Sequence, residues 1–399
     1  MTTLTFKINA KTMLQHVTAA AAAIDTRAKD ARIILRLKDS VIFVEGFCYD
    51  FSVSGFIPVS TDCPDFVWYV DYKTLLNLCK YAKKDEIVFM ANTENVSLSA
   101  IVNGNAFDIR AIVCDKIQRM GGKEGGNVAL NYCFANNAKN NELINAIDSV
   151  SYAAAKKDIR RVLCGVNFRS KDGDVKICAT DGHRLAERPL FNAPALSDFS
   201  ATLHNSIIGL LLKQAKKASI ELVIYATGIV VIDYGSTKIV ADTGEMGNFP
   251  DVERVKQPLQ IARQFMQIDR QEAMNAINLL LISSKSKFAG ARLDADAENW
   301  VLSLTHGDVV LKIPARFNDV ASGKIGGINL AYLKDMLTAC QGDSGPIPAG
   351  AGETVRRLGL LRASRAYPRG CGGNTSTSTS GLVSGGLSPR VRGKLWMVE

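Results

Sequence analysis

The chain has 399 residues, 47% hydrophobic and 22% charged, with a formal net charge of +9, enough for several domains with substantial cores. No run of about 18 apolar residues occurs, and the N-terminus is polar with an early Lys7, so neither a membrane helix nor a secretory leader is expected. Nine cysteines without a C-x-x-C pair and only four histidines exclude zinc fingers and a disulfide framework, so no metal or cofactor is expected and the thiols read as reduced and mostly buried.

In chain order, an amphipathic helix over Lys11–Ala22 leads into strands Ile33–Leu37 and Val41–Val44. A second helix, Tyr72–Lys84, leads into Glu86–Phe89 and Val96–Leu98. The pattern then starts again. Helix Asn140–Tyr152 precedes Val162–Phe168 and Val175–Cys178, and helix Asn205–Lys217 precedes Ile220–Ile224 and Ile229–Ile232. A third round opens with helix Gln271–Ser283, strands Ala289–Leu293 and Trp300–Leu304, and a last helix from Asn329 to Cys340. Ala82-Lys83-Lys84 and Ala215-Lys216-Lys217 stand at matched places in the first two rounds, 133 residues apart. The period predicts three similar α+β domains, each with two helices packed on antiparallel sheets. Their bounds are 1–126, 127–256 and an incomplete 257–344. Lysines recurring at one place in a repeated unit point to a shared basic surface.

Residues 345–399 differ from the rest. They hold 11 of the 32 glycines and carry +6 of the net charge, leaving +3 for residues 1–344. One DNA string, TATCCCCGCGGGTGCGGGGGAAAC, accounts for three unlike peptides. It encodes Tyr367–Asn374 in its first frame, Ile347–Glu353 in its second and Ser388–Lys394 in its third. The copies start at two equal intervals of 61 bases, and since 61 is not a multiple of three each falls in a new frame. The segment resembles a translated CRISPR array and is expected to be a non-native, disordered tail.

Two local signatures remain. Ala179-Thr180-Asp181-Gly182-His183-Arg184-Leu185-Ala186 follows a strand, and Phe249-Pro250-Asp251-Val252-Glu253-Arg254-Val255 closes the second round. Asp181 and His183 could belong to a hydrolytic site, but no nucleophile elbow or second carboxylate cluster accompanies them. The alternative is a turn with Gly182 at a demanding φ and Arg184 on the surface.

With these motifs and the threefold pattern, roughly residues 1–341 resemble the bacterial DNA polymerase III beta subunits, the sliding clamps. The resemblance implies a non-enzymatic processivity subunit of the bacterial cytoplasm and nucleoid. Two three-domain subunits would close head to tail into a homodimeric ring around double-stranded DNA, held by phosphate contacts without base reading. It implies lumen cations at Arg27, Lys80, Lys83, Lys84, Lys156, Lys157, Arg160, Arg161, Lys213 and Lys216. It also implies a pocket for short peptides of the DNA polymerase and clamp loader, formed by Leu163, Thr180, Gly182, His183, Arg184, Leu185, Pro250, Arg254 and Val255. Subunit pairing falls to Phe107, Leu281 and Ile282. The sequence departs from the family in three places. Arg161 and Val162 stand where aromatic residues are usual, residues 114–126 lack a Phe-Pro segment, and the last strands of the third domain are replaced by the tail. The third domain is therefore expected to be damaged and the ring weakly closed. The alternative is a non-functional read-through product that closes no ring.

Overall fold

The computed structural model describes residues 3–61, 65–92, 97–113, 126–134, 142–191, 193–215, 218–256, 265–284, 289–318, 322–339, 356–358 and 395–398. They form two compact units: residues 1–181 with 187–249, and residues 182–186 with 250–399.

Unit 1 holds two copies of one supersecondary pattern, except that residues 182–186 of the second copy belong to unit 2. The first copy, repeat I, runs β1 (Thr3–Asn9), α1 (Ala10–Ala20), β2 (Arg32–Lys38), β3 (Val41–Phe47), β4 (Phe51–Pro58), β5 (Phe66–Asp71), α2 (Tyr72–Ala82), β6 (Glu86–Asn92), β7 (Ser97–Val102), β8 (Asn105–Ile109) and β9 (Ala111–Val113). Repeat II runs β10 (Val128–Phe134), α3 (Glu142–Ser151), β11 (Gly165–Lys171), β12 (Asp174–Thr180), β13 (Arg184–Leu190), β14 (Phe199–His204), α4 (Asn205–Gln214), β15 (Ile220–Tyr225), β16 (Ile229–Tyr234) and β17 (Thr237–Asp242). In both, the strand ahead of the first helix pairs antiparallel with the strand after the second, β1 with β6 and β10 with β15.

The helices start where strands end, because the last strand residue is itself the cap. Asn9 Oδ1 accepts from Lys11 N and Thr12 N, Asp71 Oδ1 from Thr74 N, and His204 Nδ1 from Ser206 N. The two helices of each repeat pack on one another, α1 on α2 and α3 on α4. On α1 the buried residues Ala10, Met13, His16, Val17 and Ala20 fall at helical spacing. All but His16 join Phe6, Leu35, Trp68, Leu75 and Phe89 in the core of repeat I. Gly46 of β3 makes this approach possible, since a Cβ there would stand 2.1 Å from the Ala20 carbonyl oxygen.

Repeats I and II share a nine-stranded sheet in the order β10-β15-β16-β17-β4-β3-β2-β5-β9. The seam is β17 against β4, with Thr237 opposite Gly55 and Ala241 opposite Phe51. His16 is buried beside the seam, within 3.3 Å of Ser236 Oγ and 3.2 Å of Thr237 Oγ1. Burial lowers its pKa from the usual histidine value, and burial likewise lowers that of His204, whose Nδ1 must stay unprotonated to cap α4. Both contribute stability that is full above the unfolded-state pKa near 6.5 and is lost as pH falls through the depressed folded values. The melting temperature of unit 1 should therefore drop from about pH 7.5 to about pH 5.5. His204→Asn, which keeps a capping oxygen, should remove part of that slope; a slope identical to wild type would contradict the assignment.

Two sequence expectations shift here. The strand expected over Val162–Phe168 begins at Gly165, because Arg161–Leu163 turn in a 3-10 helix that buries Val162 and Leu163. Strands β4 and β5, which the sequence reading passed over, both belong to the shared sheet, β4 at its centre and β5 next to the edge strand β9.

Unit 2 carries α5 (Val252–Lys256) and then a third copy: β18 (Phe265–Ile268), α6 (Arg270–Ser283), β19 (Gly290–Asp296), β20 (Val301–His306), β21 (Val309–Asn318), β22 (Gly323–Asn329) and α7 (Leu330–Ala339). Asp269 caps α6 by accepting from Glu272 N at 2.7 Å, and α6 packs on α7. After α7 the described residues hold only β23 (Arg356–Leu358) and β24 (Leu395–Val398), and β23 pairs with β18. The rest of the expected disordered tail lies outside the described residues. Among the described residues all five cysteines are free thiols, Cys79, Cys164 and Cys178 being buried. No described helix is long and apolar enough to cross a membrane.

Candidate nucleic-acid interface and peptide-binding segment

The expected cations divide by what holds them. Lys80, Lys83 and Lys84 are exposed at the C-terminal end of α2, and Lys213 is exposed in the last turn of α4. Positive charge there complements the negative helix end, so these lysines also stabilise their own helices. Lys83 ends α2 at φ 53°, its N–H donating to the Cys79 carbonyl. Lys156 and Lys157 are exposed between α3 and β11. Arg27 is exposed beside Asp25, 3.6 Å away. Arg160 donates to both oxygens of Asp158, at 3.1 and 3.0 Å. Arg161 donates to buried Asp50 at 2.6 Å. Lys216 lies outside the described residues.

The peptide-pocket residues occur in both units. In unit 1, Leu163 is 1% exposed and packs with Ala155, Val162, Cys164 and Phe249. Thr180 is buried at the end of β12.

In unit 2, Gly182 takes φ 83°, the left-handed turn expected of it. Arg184 is not on the surface, as the turn reading had it, but 9% exposed. Its Nη1 donates to Asp335 at 2.8 Å, and its guanidinium lies 4.4 Å from the Tyr332 ring centre. The desolvated cation thereby gains a carboxylate and an aromatic face. The His183 ring stacks on the same Tyr332 at 6.5 Å. Leu185 is buried, and Pro250 and Arg254 are exposed. Val255 lies in α5, and its side chain lies outside the described residues. Tyr332 and Asp335 were missed by sequence reasoning. Their only signal is the i, i+3 spacing that sets them on one face of α7.

The expected pairing residues sit on or beside open strand edges. Phe107 of β8 is half-buried and meets the Tyr81 ring edge-on at 5.5 Å. Among the described residues, β8 ends its sheet with an unpaired outer edge. On α6, Leu281 is half-buried and Ile282 is 82% exposed. Helix α6 packs on β21, whose Val309 and Val310 are also exposed. Strand β18 covers only Ala315–Asn318 of β21, so the edge over residues 309–313 is open among the described residues.

Residues 137–243 match the family model described as DNA polymerase III beta subunit, central domain. A beta sliding clamp of Pseudomonas aeruginosa is 27% identical over 285 residues, covering 67% of this chain and 71% of that protein. One of Salmonella typhimurium is 29% identical over 211 residues, covering 48% and 52%, so the chain spans about half the length of that relative. The crystal structure of the P. aeruginosa sliding clamp matches at a TM-score of 0.70 and 20% identity, over 84% of this chain and 90% of that one. The C. crescentus beta sliding clamp matches at 0.71 and 18%, over 85% and 90%. At these identities the structural likeness is one of fold. The family model, the relatives and the solved structures to which the chain is similar are all DNA polymerase III beta subunits or beta sliding clamps.

Proposed function

We propose that the chain is a DNA sliding clamp, which closes as a head-to-tail dimer around duplex DNA and tethers the replicative polymerase to its template. It makes and breaks no bond. Its domains would be residues 1–126, 127–256 and 257–344, and its place the bacterial cytoplasm and nucleoid.

One observation carries this reading. At the seam of unit 1, the third strand after a repeat's second helix (β17) pairs with the third strand after another repeat's first helix (β4). The same two positions are β8 in repeat I and β21 in the third repeat; among the described residues the outer edge of β8 is open, and that of β21 is open over residues 309–313. Joining β8 of one copy to β21 of a second would reuse a seam the chain already makes. Two such joints close a ring and hide four edges that otherwise invite aggregation.

The exposed cations of α2, α4 and the Lys156–Arg161 run supply sequence-independent attraction to phosphates. Topological capture then keeps the polymerase at high effective concentration. The peptide-pocket residues named above, from Leu163 to Val255, are proposed to receive short motifs of polymerase and clamp loader. Residues 345–399 are proposed to be a translated repeat array, which sequencing of the source DNA across codons 330–399 would test.

The short pairing of β18 with β23 favours a second reading, a product too damaged to close a ring. Sedimentation of the full chain separates the two. A dimer at micromolar concentration is expected for the clamp, and a monomer at every concentration for the damaged product.

A further inference from the structure

Beside the seam of unit 1, the turn between β3 and β4 sends one carboxylate towards repeat II. Asp50 is 3% exposed. Its Oδ1 accepts from Arg161 Nη2 at 2.6 Å and from Cys48 Sγ at 3.2 Å, and its backbone oxygen accepts from Asp242 N at 2.8 Å. The Arg161 guanidinium also lies 5.7 Å from the Tyr49 ring centre. Asp50 and Arg161 are 111 residues apart in sequence and belong to different repeats.

Arg161 closes the run Lys156-Lys157-Asp158-Ile159-Arg160-Arg161. Arg160 is spent on Asp158, at 3.0 Å. Lys156 and Lys157 are exposed and make no ion pair among the described residues, and Ile159 between the cations is 97% exposed. A carboxylate as buried as Asp50 holds its cation firmly, because releasing it would leave a desolvated charge without a partner. A phosphate at the surface would have to outbid that contact through water and salt.

We propose that Asp50 is a positioning residue for this basic run. It takes the Arg161 guanidinium as an anchor, docks the run on repeat I, and leaves Lys156 and Lys157 as its phosphate-facing cations. The proposal rests on the DNA-binding reading above and changes the role of Arg161 within it, from phosphate ligand to anchor.

The test is the salt dependence of full-chain binding to a short labelled duplex, because its slope counts phosphate contacts and does not respond to stability alone. Removing both lysines, K156A/K157A, should lower the slope by roughly 1.8. R161D, which sets two carboxylates against each other, should weaken binding about tenfold. The swapped pair D50R/R161D should return affinity to within about twofold of wild type, with the slope unchanged. If Arg161 were a phosphate ligand, Asp at 161 would repel DNA and the swap would stay as weak as R161D; that result overturns the anchor role. Should a buried Arg at 50 fail to fold, the neutral pair D50N/R161Q serves. It should keep the wild-type slope, and a slope lower by about 0.9 overturns the proposal. An unchanged slope in K156A/K157A would overturn both the DNA reading of this run and the proposal, whereas a fall there combined with a failed swap overturns the anchor alone.

Discussion

Replacing Gly46 by alanine is expected to destabilise unit 1 by about 3 kcal/mol or more, a large share of a domain's usual 5–15 kcal/mol. The new methyl would lie 2.1 Å from the Ala20 carbonyl oxygen and 2.9 Å from its carbon. Both are backbone atoms, so no side chain can swing aside. Either α1 lifts from β3 or β3 bends away from its ladder with β4. Lifting α1 would also open the core around Met13, Val17 and Trp68, which are 1% exposed or less. Gly104→Ala is the control. Gly104 takes φ 78° but has nothing within 4 Å of a new methyl, so only backbone strain of about 1 kcal/mol is expected. Denaturant midpoints measure both. A Gly46→Ala shift no larger than that of Gly104→Ala would show that α1 does not approach β3 so closely.

Ile282→Asp is expected to weaken self-association by at least about thirtyfold while leaving the monomer's melting temperature almost unchanged. Ile282 is 82% exposed on α6, and surface substitutions away from special features cost within about 0.5 kcal/mol. In the proposed ring the same side chain enters the joint beside β21, where Val309 and Val310 are also exposed. A buried apolar anchor at an interface is worth about 2 kcal/mol or more, and a carboxylate there is desolvated without a partner. Sedimentation of wild type and variant reads the difference. Equal association of the two would remove α6 from the interface.

How much was legible in the sequence depended on whether a signal was local. Helical spacing on α1, the alternation in β15 and the recurrence of Ala-Lys-Lys after α2 and α4 come from neighbouring residues, and the repeat emerged from them. The left-handed turn at Gly182 was legible for the same reason. Strands β4 and β5 were not assigned, although Phe51–Pro58 alternates buried and half-buried positions. The Ser and Gly of β4 compete poorly with turn signals, β5 is only six residues long, and pairing with β17 and β2 decides them. The partners of the site cations were beyond reach for a similar reason. Asp50 lies 111 residues before Arg161, and Asp335 lies 151 after Arg184. Nothing in either local sequence marks a carboxylate that will meet an arginine in another repeat. The arginines of the sequence reading thus include two that the fold pairs with a carboxylate of another repeat, while the exposed lysines of α2 and α4 were legible from helix spacing alone.

The central claim is a closed ring that holds DNA by topology rather than by charge. Full chain is allowed to associate in the presence of nicked circular plasmid and then passed over a sizing column in salt high enough to screen phosphate contacts. The protein is expected to travel with the circle and to be lost when the plasmid is cut once. Protein that leaves the intact circle as readily as the linear form would contradict the ring.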